Sequence, residues 1–355
     1  MQARIQHPFC RTTKTAFFEL FGLAERYCPR IGEFHYEGWY NSQTAVEKLM
    51  TMNDADFERA GRTRHGRKRG IEPKDRKRIR RECRAVKAQV FAFYGILLHF
   101  LHSLIEIEKG EPRTMQDKKR MLNDEWGWMR NKYGSVLAYP LSLIILFLSA
   151  RDMSGGDKSE KYRSRARSFL HFDQLRSQTD SIKEEIEKGG LSSAQVAEKR
   201  RELANRIAKT AWNASWDLLY VQRLLGMQSG SMFTVSGGER RPIDTVLVSN
   251  DFDPNWLRLV TLTVADQNFD NDWIGIQDLQ RVVNPNGRED LNQEVDDIRQ
   301  YIESLKMAYG SDQTDLKERE LGVYQCIIDL EQSMKADSTT YLSEIVDGIK
   351  NGDAR

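Results

Sequence analysis

Acidic residues gather around one short apolar segment: Asp217 lies on a helical stretch, Asp244 and Asp251 flank Thr245–Ser249, and Asp253 follows in the turn Asn250–Pro254. Carboxylates at the C-terminal end of a strand can converge on Mg2+ or Mn2+, hard cations that take oxygen ligands and lower the pKa of a bound water. Such a water attacks phosphodiester phosphorus. The pattern makes Asp217, Asp244, Asp251 and Asp253 candidate catalytic residues, with Asp217 and Asp251 as metal ligands. Asn-Asp-Phe-Asp-Pro is also ordinary turn composition, which needs no metal.

A second cluster is cationic. Thirteen of the twenty-six residues from Arg62 to Lys87 are Lys or Arg, against the three acids Glu72, Asp75 and Glu82. That places ten net positive charges on one short piece of a chain whose formal charge is +2, so the remainder sums to −8. Sorted charge implies an anionic partner. Lys and Arg that neutralise phosphates release condensed counterions and drive sequence-independent nucleic-acid binding. Arginine predominates, nine to four, which suits bidentate phosphate contacts. The candidate contacts are Arg62, Arg64, Arg67, Lys68, Arg69, Lys74, Arg76, Lys77, Arg78, Arg80, Arg81 and Arg84. The rival partner is internal: from Asp244 onward the chain holds 23 acids and 10 Lys or Arg, a net of −13.

The order of a helix bearing Asp217, a loop, and then Val-Leu-Val-Ser-Asn-Asp resembles the second half of PIN-like nucleases, over residues 212–270. In that family an acidic helix precedes a strand ending in a Thr/Ser-x-Asp turn. The resemblance implies a metal-dependent nuclease with Mg or Mn as cofactor. The chain departs from the family near its N-terminus, where no strand ending in an early Asp is visible and the first acid is Glu19.

Arg165-Ala-Arg-Ser-Phe-Leu-His171 carries a different chemistry, with an Arg-to-His spacing that resembles HEPN ribonucleases. In such a pair the imidazole handles the proton of a 2′-hydroxyl while the guanidinium stabilises phosphate charge, without a metal. His171, between Leu170 and Phe172, also fits a packed histidine. His99 and His102 share an apolar helix and read as core or boundary groups. Ser236-Gly237-Gly238 lacks the Lys of a phosphate-binding loop.

The elements that must position these residues are mostly helical. After Pro73 the apolar positions Ile79, Cys83, Val86, Val90, Phe93, Leu97, Leu101 and Leu104 recur at spacings of three and four. A helix from Pro73 to Glu108 would be about 54 Å long at about 1.5 Å per residue, with a basic first half and a buried second half. Gly61, Gly66 and Gly70 make Arg62–Arg69 a loop. A polar helix is predicted over 111–135, and a buried one over Val136–Ala150. Further on, Ser181-x-x-Glu184 is a capping box, Gly189-Gly190 a stop, and Ser192-x-x-Gln195 a box opening a helix to about Leu225. Those two helices form a hairpin. Residues 228–242 read as a Gly-rich loop before the strand Thr245–Ser249, and helical periods recur over Leu291–Ala308, Leu316–Met334 and Tyr341–Ile349.

The fold class expected is mainly α, with one short β element near residues 243–262; the alternative is α/β with a small parallel sheet. A helical domain would occupy 1–270 and an acidic helical region 271–355. Apolar content of 39% suffices for a core, and four scattered cysteines make neither a disulfide framework nor a zinc site. The N-terminal residues show no secretory apolar region, and the longest apolar runs fall short of the roughly 20 residues of a bilayer span, so a cytoplasmic protein without membrane contact is expected. Nucleic acid is the partner expected first. A non-catalytic adaptor, joined to a protein partner or to a second copy of the chain, is the alternative.

Overall fold

The computed structural model describes residues 29–32, 90–103, 105–106, 117, 120–121, 124, 167, 169–228, 233–236, 239–242, 292, 296, 300, 313–339 and 342–351. The chain divides into two compact units, Met1–Ala88 and Gln89–Arg355. Every element named below belongs to the second.

Helix α1 covers residues 90–103, and residues 105 and 106 are helical beyond it. Almost its whole circumference is apolar, and Val90, Phe91, Tyr94, Leu97, Leu98, Leu101 and Ile105 are 2% exposed or less. A helix apolar on all sides must be enclosed. His99 and His102 are half-buried at its boundary, with His99 Nε2 3.4 Å from Ser103 Oγ.

The further helices described are α2 (Phe172–Glu187), α3 (Ser193–Gln228), α4 (Gln313–Met334) and α5 (Leu342–Lys350). Helices α2 and α3 are the predicted hairpin. Ser192 caps α3 as expected: Gln195 N donates to Ser192 Oγ at 3.3 Å, and Ser192 N donates to Gln195 Oε1 at 2.9 Å. Gly189, at φ 74, ends α2 in the left-handed conformation that glycine adopts without a Cβ clash. The start of α2 differs from expectation. Ser181 lies well inside the helix, which begins at Phe172, so Ser181-x-x-Glu184 is a pair of exposed mid-helix residues and not a capping box. Phe172, Leu175 and Thr179 form the buried stripe that the earlier start creates.

The β structure also differs. Residues 228–242, expected to be a loop, hold the end of α3 and an antiparallel hairpin of β1 (Phe233–Ser236) and β2 (Glu239–Pro242). The register pairs Phe233 with Pro242 at one end and Ser236 with Glu239 at the other. The sheet described is antiparallel, unlike the parallel alternative. The predicted strand Thr245–Ser249, like the predicted helix Val136–Ala150 and the 270/271 boundary, lies outside the described residues. Helix dominates what is described, and the mainly α class holds.

The core is aromatic. Trp212 on α3 lies 5.5 Å from Phe91 and 5.3 Å from Tyr94 between ring centroids, and 6.1 Å from Trp216. Phe91 meets Tyr324 of α4 edge-on at 5.7 Å. Edge and tilted contacts of this kind add to the burial of the rings themselves. Helix α4, from the acidic C-terminal region, therefore shares one core with α1 and α3 of the region predicted as 1–270.

A buried carboxylate ties the same elements together. Glu331, fully enclosed on α4, accepts the Tyr94 hydroxyl at 2.5 Å, the Thr339 hydroxyl at 2.7 Å and the Thr339 backbone N–H at 2.8 Å. Buried polar atoms need such partners. Hydrogen bonds to a carboxylate contribute about 1.5–3 kcal/mol, so Tyr94→Phe, which keeps the ring, is predicted to lower stability by about that much. Urea unfolding checks it; a loss below about 0.5 kcal/mol would mean that the bond contributes little net stability.

Helix α4 ends on Lys335, which holds φ 60, while Ala336 N donates to Glu331 O at 2.9 Å. A left-handed lysine costs about 1–2 kcal/mol. Lys335→Gly is predicted to raise stability by about 0.5–1 kcal/mol, since relief of that strain exceeds the entropy glycine adds to the unfolded chain. An unchanged or lowered urea midpoint would contradict it.

Candidate functional site

Asp217 sits on α3 directly after Trp216, which is fully buried, and is itself half-buried. Ala211, Trp212, Ala214 and Ser215 precede it and all face the interior, so α3 holds Asp217 where the aromatic core meets the surface. The other three candidate acids, Asp244, Asp251 and Asp253, lie outside the described residues. Among the described residues, no three His, Cys, Asp or Glu side chains are placed to hold a metal ion. One carboxylate is what the structure gives of the predicted Mg or Mn site.

For the metal-free alternative, the structure gives His171. It is exposed, at φ 49, at the N-terminus of α2, so the packed-histidine reading does not hold. Its predicted partner Arg165 is outside the described residues. Arg167, two residues on, is already engaged: its guanidinium lies 4.4 Å over the Phe172 ring and donates to Asp173 Oδ1 at 2.6 Å. That arrangement pins Arg167 to the first turn of α2.

Comparison with protein-family models, curated proteins and solved structures finds no match to this chain. Its function must therefore be argued from its own residues.

The predicted phosphate contacts from Arg62 to Arg84 lie outside the described residues. Their rival partner, the acidic C-terminal region, is partly described, and two of its carboxylates have partners within the second unit. Glu331 is held by Tyr94 and Thr339. Asp337 receives Arg201 through both Nε and Nη2, at 2.9 and 2.8 Å, and Asn205 Nδ2 at 2.9 Å, while Asp337 N donates to Asn205 Oδ1 at 2.8 Å. The hydrogen bond and charge of Asp337, and then the charge of Glu198, raise the pKa of Arg201 above its usual value. Arginine is charged at every working pH, so the raised value adds no pH dependence of its own.

Neither cluster was visible in the sequence. Tyr94 and Glu331 are 237 positions apart and Arg201 and Asp337 are 136 apart, so spacing carries no signal for either. Among the described residues, no helix is long and apolar enough to cross a membrane.

Proposed function

We propose that this chain binds nucleic acid through the phosphate backbone, with the Arg62–Lys87 segment as the contact. The observation that carries the reading is the sorting of charge: thirteen cations and three acids in twenty-six residues, on a chain that is otherwise net acidic. Cationic density of that order is the electrostatic footprint of a phosphate-binding surface. The engagement of Glu331 and Asp337 inside the second unit supports it, because it removes two carboxylates from the internal partner that competes with nucleic acid.

The catalytic form of the proposal is a metal-dependent, PIN-like nuclease that uses Asp217, Asp244, Asp251 and Asp253, with Asp217 and Asp251 as the ligands of Mg2+ or Mn2+. A catalytic divalent ion needs more than one carboxylate. This form therefore stands on Asp251 joining Asp217 at the ion. The Arg165/His171 mechanism is the metal-free alternative, and a non-catalytic adaptor is the reading without nucleic acid.

One experiment separates them: labelled RNA and DNA are titrated with the full chain across a salt series, with Mn2+ or with EDTA. Affinity that falls by several log units per log unit of salt is the expected result. Absence of binding at every salt concentration would leave the adaptor. Cutting with Mn2+ and not with EDTA selects the metal form. For that form Asp217→Asn is predicted to reduce cutting on the order of 100-fold or more, since even loss of an outer-shell partner of a metal costs 10–100-fold. Salt-dependent binding should be unchanged in that variant. Cutting that persists in EDTA and disappears in His171→Ala selects the Arg165/His171 pair.

A further inference from the structure

We draw no further inference here: the strongest candidate, the aromatic cluster of Phe91, Tyr94, Trp212 and Tyr324 with the Glu331 carboxylate beside it, has the composition of a cation-binding cage, but its rings pack on one another, every member is buried, and it belongs to the core already described.

Discussion

Replacing Arg76, Arg78, Arg80 and Arg81 together by Gln is expected to weaken RNA and DNA binding by about two to three orders of magnitude at physiological salt. Each neutralised phosphate releases about 0.9 of a counterion from duplex and about 0.7 from a single strand. At about 0.15 M salt that release is worth roughly a fourfold to sixfold change in affinity per contact, and four contacts multiply. The slope of log affinity against log salt should fall by about three to four units on duplex, and the loss should be uniform across sequences. Replacing the same four residues by Lys keeps the charge and should keep most of the slope, since only bidentate geometry is lost. A slope unchanged in the Gln variant would remove this segment from the interface. If the run instead docks on the acidic C-terminal region, the same variant should lower the unfolding midpoint of the chain and leave nucleic-acid affinity alone.

What the sequence disclosed follows the range over which its signals act. The burial of α1 was legible because apolar side chains occupy nearly every position, and enclosure follows from that alone. The α2/α3 hairpin was legible because Gly189 and the Ser192 capping box act within a few residues of the backbone they shape. The errors are of two kinds. Ser181-x-x-Glu184 has the spacing of a cap, but i and i+3 are also neighbours inside any helix, and the buried stripe Phe172, Leu175, Thr179 places the start earlier. In 228–242 the abundance of Gly and Ser suggests a loop, although the short segments Phe233–Ser236 and Glu239–Pro242 pair as antiparallel strands.

The second kind is electrostatic. A count of −13 from Asp244 onward treats every acid as part of one solvated field. Yet Glu331 is enclosed in the core, and Asp337 is paired to α3. Net charge locates a partner for a segment; it does not say which of its carboxylates remain available. Of the candidate site, the sequence could nominate Asp217, and the structure adds that α3 presents it immediately beyond a buried tryptophan. Asp251 lies outside the described residues, and periodicity does not encode which acids meet across 34 positions of sequence.

Trp212→Ala should be the most damaging single substitution in the described core, with an expected loss of about 3–5 kcal/mol. Trp212 is 4% exposed and touches Phe91 and Tyr94 of α1 as well as Trp216 one turn on, so removing the indole opens a cavity between α1 and α3. Rigid helices on both sides limit collapse into that space, which places the cost toward the upper end of the range. Against a total stability of about 5–15 kcal/mol for a folded domain, the loss is a large fraction. Tyr94 joins Trp212 to the Glu331 cluster, so the double variant Trp212→Ala with Tyr94→Phe should not be additive, whereas Trp212→Ala with Lys335→Gly should add within about 0.5 kcal/mol. Urea unfolding followed by circular dichroism measures all of these, and a loss below about 1 kcal/mol for Trp212→Ala would show that this packing is wrong. The same variant distinguishes core from interface: at temperatures where it remains folded, its salt-dependent nucleic-acid binding should match that of the parent chain. A changed slope there would mean that the phosphate contact extends onto the helices of the second unit.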